Sequence, residues 1–358
     1  MNLSFRNKNA EPFFRWIFRK NDTLNQVVFY FLSQVNATSA RFFPLFEASS
    51  KIRIVYIRGL KIPYTDLIML KLYKFLSNIA SSKFEQYDYI HIVGGSLNLN
   101  VKNQILHLDD PRYSIEEKCF LQNWEESLNN KNLNPIIICT NKLSSKYFSK
   151  ITKFSRILII EQGFDIIPIK DGSQIAKSSK FSCVYSSPYI HTGQDKHSRH
   201  ETWGAELLIR KIIPLIYSYD PDIEIHLVGE LGKCARQELS TFDNLVYHGR
   251  VNFHDNLRIL AMCSIAIYPR DNDLKRSMSK IFSYIGAGLP IVAYDLYDTE
   301  VIKRHKLGYV VNSVEKFVKK IIYLKSNPRK LQKISNRVNK FKPKYTWHNL
   351  AKKMESQL

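Results

Sequence analysis

The stretch "SMSKIFSYIGAGLPIVAYD", Ser277 to Asp295, decides how the rest of the chain is read. Met278, Ile281, Phe282 and Ile285 recur at three- and four-residue spacing, the repeat of one buried helix face, whereas Ser277, Lys280 and Ser283 fall on another. The spacing predicts an amphipathic helix whose compact polar face carries one cation. Gly286 and Gly288 are expected to permit the turn that ends it. Pro290 helps prevent its continuation, and Ile291 to Tyr294 read as a buried strand. A helix, a tight turn and an apolar strand in that order belong to an α/β sheet.

The same alternation extends in both directions. Toward the N-terminus the strand-like runs are "VVFYFL", "IRIVYIRG", "YIHIVGG", "ILHLDD", "IIICTN" and "ILIIEQG", ending near Gly163. A polar, Ser- and Lys-rich passage, Pro168 to Ser182, is the expected linker, and the pattern restarts with "CVYSS", "IEIHLVG", "NLVYHG", "IAIYP", "PIVAYD" and "GYVV". Between them lie helical stretches such as Trp203 to Tyr219, where Leu208, Ile212, Leu215 and Ile216 form an apolar stripe. The expected fold is α/β, with two Rossmann-like, doubly wound parallel-sheet domains facing a cleft, and ligands at the carboxyl ends of the strands. The domains are expected over residues 1–167 and 168–340, with a C-terminal helix over 341–358 packing back on the first.

Composition narrows the class. At 358 residues and 44% apolar, the chain is long enough for two cores and has no signature of disorder. Its apolar runs fall short of the ~18 residues of a membrane span, and "FFRWIF" (Phe13 to Phe18) is too short for a secretory h-region. A cytoplasmic protein is the expectation. The cysteines at 119, 139, 183, 234 and 263 are scattered without a C-x-x-C pair, and "HSRHE" (His197 to Glu201) is not a zinc motif, so no metal site is expected. The net charge of +21 points to phosphates: nucleotides, nucleic acid or an anionic membrane. Residues Phe5 to Lys20 interleave aromatics with cations, which fits either an interfacial segment on the inner face of a membrane or a solvated basic tail.

The order "HLVGE" (His226 to Glu230), "NLVYHGRV", "CSIAIYPR" and "SMSKIFSYIGAGLPIVA" resembles the donor domain of GT-B fold glycosyltransferases of family 4, also called glycosyl transferases group 1. The resemblance runs from about Phe181 to the C-terminus. "EQGFD" (Glu161 to Asp165) is similar to that family's interdomain junction. It implies that the first domain takes the acceptor and the second a nucleotide-sugar donor, a UDP- or GDP-sugar, with no cofactor and no metal. It also implies donor contacts from Gly229, Arg270, Ser277, Lys280, Ser283 and Tyr284, and from Lys196 and Arg199 in the loop "TGQDKHSRHETWG". Lys280 would neutralise the donor pyrophosphate, whose charge grows as the glycosidic bond breaks. A solvated lysine is the plain alternative.

Two positions depart from the family pattern. Where its donor helix carries two glutamates eight residues apart, this chain has Lys275 and Ser283. A serine offers one short arm to ribose hydroxyls where a carboxylate accepts two hydrogen bonds. An unusual donor, with Lys275 meeting an acidic sugar, and a domain without activity both fit. Asp109 and Asp110, at the end of "ILHLDD", are either acceptor-side catalytic carboxylates or a helix N-cap ahead of Pro111. The implied activity is transfer of a sugar to a glycan or lipid-linked acceptor in surface polysaccharide or glycolipid synthesis, with retention of configuration. A non-catalytic glycosyltransferase-like partner subunit and a nucleic-acid-modifying sugar transferase are the competing readings, the latter without any recognition motif.

Overall fold

The computed structural model of the chain describes residues 26–31, 52–57, 89–93, 104–108, 136–151, 156–164, 179–195, 204–270 and 279–358. The chain divides into two compact units, Met1–Glu161 together with Leu350–Leu358, and Gln162–Asn349. The division falls inside "EQGFD". Most of the stretch read as a linker lies outside the described residues.

In the first unit the strands are β1 (Gln26–Phe31), β2 (Ile52–Ile57), β3 (Tyr89–Val93), β4 (Gln104–Leu108), β5 (Ile136–Cys139) and, after helix α1 (Lys142–Ile151), β6 (Ile157–Ile159). They form one parallel sheet in the order β2-β1-β3-β4-β5-β6. Strand β5 is buried at every position, as a parallel strand covered on both faces must be, and its "IIIC" run carries no polar alternation for that reason. Asn141 starts α1, its side-chain oxygen accepting the Ser144 N–H at 2.8 Å.

Among the described residues of the second unit the first strand is β7 (Ser182–Ile190). The helix that follows is α2 (Ala205–Leu207), a π-helical turn (Leu208–Ile212) and α3 (Ile213–Tyr219) in unbroken succession. The widened turn lies just ahead of Pro214, whose ring has no N–H to give and crowds the carbonyl four residues back, so the π turn accommodates it. Next come β8 (Glu224–Leu231), α4 (Lys233–Leu239), β9 (Leu245–Gly249), α5 (Phe253–Met262), β10 (Ile265–Tyr268), α6 (Ser279–Gly286) and β11 (Ile291–Tyr294). After a 3-10 turn (Tyr297–Thr299) the unit ends with α7 (Glu300–His305), β12 (Gly308–Val311), α8 (Val314–Ser326) and α9 (Pro328–Phe341). The last helix, α10 (Trp347–Gln357), gives its residues from Leu350 onward to the first unit, where the Lys353 ammonium donates to the Ile159 carbonyl and to Glu161.

The second sheet is also parallel, in the order β12-β11-β10-β7-β8-β9. Numbered from its own first strand, this is the doubly wound dinucleotide-fold order. The winding reverses between β7 and β10, and that reversal opens a crevice at the carboxyl ends of those two strands.

The opening stretch folds as a helix, a turn and a strand. Ile281, Phe282, Tyr284 and Ile285 are buried, and α6 ends in a Schellman turn: Leu289 N–H donates to the Tyr284 carbonyl and Gly288 N–H to that of Ile285. Only Gly288 is left-handed, at φ 78°. Gly286, expected to share in the turn, is helical and small for another reason. A Cβ there would come within 2.8 Å of the Phe164 ring.

Candidate functional site

The carboxyl ends of β7 and β10 carry a group of buried polar side chains. Arg270, two residues past β10, is 1% exposed. Its guanidinium lies 3.5 Å from the Asp298 carboxylate, in the 3-10 turn after the neighbouring β11, and as far from the Tyr268 hydroxyl. Tyr268 in turn donates to Asp298 at 2.7 Å. The Asp298 Oδ2 that accepts here offsets part of the cost of taking the guanidinium out of water. Gly204, at φ 83°, starts α2 directly against this strand end, since a Cβ there would stand 2.6 Å from the Arg270 amide.

Lys280 enters from the first turn of α6. Its stem is partly exposed but its Nζ is closed off from solvent, 5.1 Å from the ring centroid of Tyr185 on β7. Burial, and after it the positive charge of Arg270, push this amine down to about 7. The plain alternative of a solvated lysine is therefore overturned. Two cations held close together in low dielectric, Lys280 and Arg270, suit the binding of an anion.

The walls are fixed by backbone contacts. Tyr284 is fully buried, and its hydroxyl accepts the Ser186 N–H at 3.1 Å, just where the pairing of β7 with β8 shifts register between Ser186 and Tyr189. Gly229, at φ 141°, lets the Ser187 carbonyl approach so closely that a Cβ would lie 1.7 Å from it. In these positions Tyr284 and Gly229 shape the strand ends. Beyond β7, burial works to raise the pKa of Asp195, but the N–H groups of Thr192, Cys234 and Ala235 outweigh it and hold the carboxyl below its usual value. Asp195 accepts from the Cys234 N–H at 2.8 Å, fastening the loop after β7 to the start of α4.

Of the residues expected from sequence, the structure brings Lys280 and Arg270 together at the switch point and sets Ser283, half-buried, one turn along α6 from Lys280. Asp109, Asp110, Lys196, Arg199, Lys275 and Ser277 lie outside the described residues. Sequence reading missed Asp298, Tyr268, Tyr185 and Asp195. Asp298 carried one usable signal, a carboxylate just beyond a strand's carboxyl end. Among the described residues no three His, Cys, Asp or Glu side chains are grouped to hold a metal ion, and no helix is long and apolar enough to cross a membrane.

No protein-family model and no curated protein matches the chain. Solved structures do. S. aureus TarM, a mutant in complex with fondaparinux, alpha-GlcNAc-glycerol and UDP, is 13% identical, with 80% of this chain covered and a TM-score of 0.57. The match spans only 57% of TarM. Anabaena HepE in complex with UDP and glucose is 12% identical over 93% of this chain and 98% of its own, with a TM-score of 0.66. WaaG, a glycosyltransferase involved in lipopolysaccharide biosynthesis, is 12% identical over 92% and 98%, with a TM-score of 0.59. At such identities the likeness establishes the fold, which is GT-B, with two Rossmann-like domains.

Proposed function

We propose that this chain of GT-B fold is a glycosyltransferase that takes a UDP- or GDP-sugar as donor and delivers the sugar to a glycan or lipid-linked acceptor. The observation that carries the reading is the buried Lys280 ammonium beside Arg270 at the switch point of the second sheet. The complexes of HepE and TarM with UDP support a nucleoside diphosphate as the anion. The part played by WaaG in lipopolysaccharide synthesis supports a surface-glycan acceptor at the inner face of the cell membrane.

In the proposed reaction the bond from the anomeric carbon to the diphosphate oxygen breaks and a bond to the acceptor hydroxyl oxygen forms. Negative charge collects on the leaving diphosphate. Lys280 stabilises it without a metal ion, in a site where little reorganisation is needed. In a retaining reaction the departing phosphate oxygen takes the acceptor proton on the same face. Lys196, Arg199, Lys275 and Ser277 are proposed donor contacts, and Asp109 and Asp110 acceptor-side carboxylates, with Asp110 the base should the reaction invert.

Thermal denaturation with UDP, GDP and their sugars tests the reading. A ligand at a hundred times its Kd adds ~2.7 kcal/mol, so one nucleotide family is expected to raise Tm by several degrees. No shift with any nucleotide refutes it. Ser283, standing where resembling enzymes have a glutamate, favours one second reading, a donor-binding subunit without turnover. Donor hydrolysis in the absence of acceptor separates the two, because a non-catalytic subunit is stabilised by donor and releases no free sugar.

A further inference from the structure

The charge of the second unit is concentrated in its last helices. Residues 316–349 contain eleven lysines and arginines and no aspartate or glutamate. Helix α9 orders them. Ile334, Ser335, Val338 and Phe341 are buried on one side, and Arg329, Lys333 and Lys340 are exposed on the other, with Asn336 between them. The spacing 329, 333, 336, 340 is a single row along a helix and spans about 16 Å at 1.5 Å per residue. Lys330 is exposed beside this row. Arg337, half-buried, is tied to the Lys306 carbonyl at 2.7 Å and helps hold the helix to the body. The Ser335 hydroxyl adds a buried bond to the Gly288 carbonyl. The row is a rigid one, since the helix that bears it is anchored in the core by its apolar side.

We propose that the outer row of α9 docks the protein on an anionic lipid bilayer. A straight line of exposed cations meets a plane of phosphates along its whole length. The exposed positions of α9 carry no aromatic or large apolar side chain, so adsorption is electrostatic and shallow, without insertion. Nucleic acid shares the phosphate chemistry, but proteins that bind it combine a basic groove with stacking aromatics or with a helix end aimed at base edges. Helix α9 has its flank outward and no aromatic on it.

The test is sedimentation of the full chain with vesicles of phosphatidylcholine containing phosphatidylglycerol, across a salt series. Each cation near an anionic surface contributes about 1 kcal/mol, so Arg329→Gln, Lys333→Gln and Lys340→Gln together are expected to lower partitioning on the order of 100-fold, and each alone about fivefold. Binding is also expected to weaken as salt shortens the Debye length toward 8 Å at 0.15 M. The control removes equal charge elsewhere: Lys142→Gln, Lys146→Gln and Lys150→Gln, all exposed on α1, are expected to change partitioning less than threefold. Melting curves check that both variants fold. Equal losses in the two variants mean net charge without a docking face, and overturn the proposal. So does wild-type protein that stays in solution at low salt, and so does duplex DNA that competes the protein off the vesicles at equal phosphate concentration. The measurement is independent of the donor site, and its failure leaves the proposed reaction standing.

Discussion

The ammonium of Lys280 stands 5.1 Å from the centroid of the Tyr185 ring, shut off from water on a helix whose spacing alone marks that position as polar. An aromatic face attracts a cation by its quadrupole, a weaker interaction than full hydration. Desolvation disfavours the charged form of this amine, and an anion bound nearby favours it.

Burial first, and Arg270 second, lower Lys280 from the usual 10.5 to about 7. Between those values the unfolded chain binds the extra proton, so ligand-free stability is expected to rise with pH across this window and to lose that contribution below about 7. A bound diphosphate favours the protonated amine. UDP affinity is expected to fall on the order of tenfold between pH 7 and 8.5, read by calorimetry. Lys280→Met is expected to bind weakly at both pH values, with no loss of ligand-free Tm. A flat profile in the wild type would remove Lys280 from the donor site.

Asp298 and Arg270 form an ion pair with side chains 5% and 1% exposed. Asp298→Ala leaves a buried guanidinium without its carboxylate and is expected to cost about 3–5 kcal/mol. The double substitution Arg270→Met, Asp298→Leu is expected to recover most of that, because neither member of the pair is left behind as an uncompensated charge. Urea unfolding of the two variants decides it, and equal destabilisation would mean that the pair matters for shape and not for charge.

Gly286 and Gly288 stand two residues apart and are needed for different reasons. Gly288→Ala puts a side chain at φ 78°, against the Asn339 Oδ1 at 2.7 Å, and is expected to cost about 1–2 kcal/mol. Gly286→Ala meets the Phe164 ring and is expected to cost about 1–3 kcal/mol. Adding Phe164→Leu should relieve the second and leave the first unchanged, as a double-mutant cycle in urea would read.

His226 on β8 and His248 on β9 place Nδ1 and Nε2 2.9 Å apart, and Glu224 lies 3.6 Å from His226. Burial lowers both, with Glu224 opposing it at His226 and the charge of His226 adding to it at His248. The unfolded chain then takes up protons first, so stability is present above about 6.5 and lost as pH falls below it. His248→Gln is expected to flatten the Tm profile between pH 7 and 5. An unchanged acid limb would place the acid sensitivity at other groups.

Much of this was legible in the chain. All the strand-like runs read from sequence are strands, and the central ones β5, β10 and β11 are buried at every position, which leaves a continuous apolar run. The helix of Ser279 to Gly286 and its stop at the glycine pair followed from spacing and residue type, and the resemblance of the second half to GT-B donor domains rested on the order of its motifs. Strand order did not. Nothing local to "IAIYP" says that it lies beside "CVYSS", and that adjacency creates the crevice. Spacing tells which face of α6 is polar, yet only the packing of α6 over β7 and β10 sets Lys280 against Tyr185 and Arg270 and changes its proton affinity. Arg270 finds Asp298 twenty-eight residues later, and Gly286 meets Phe164 from far earlier in the chain. A sequence records the chemistry and period of each element. The groups that meet a side chain across space, and hence its charge state, are properties of the folded chain.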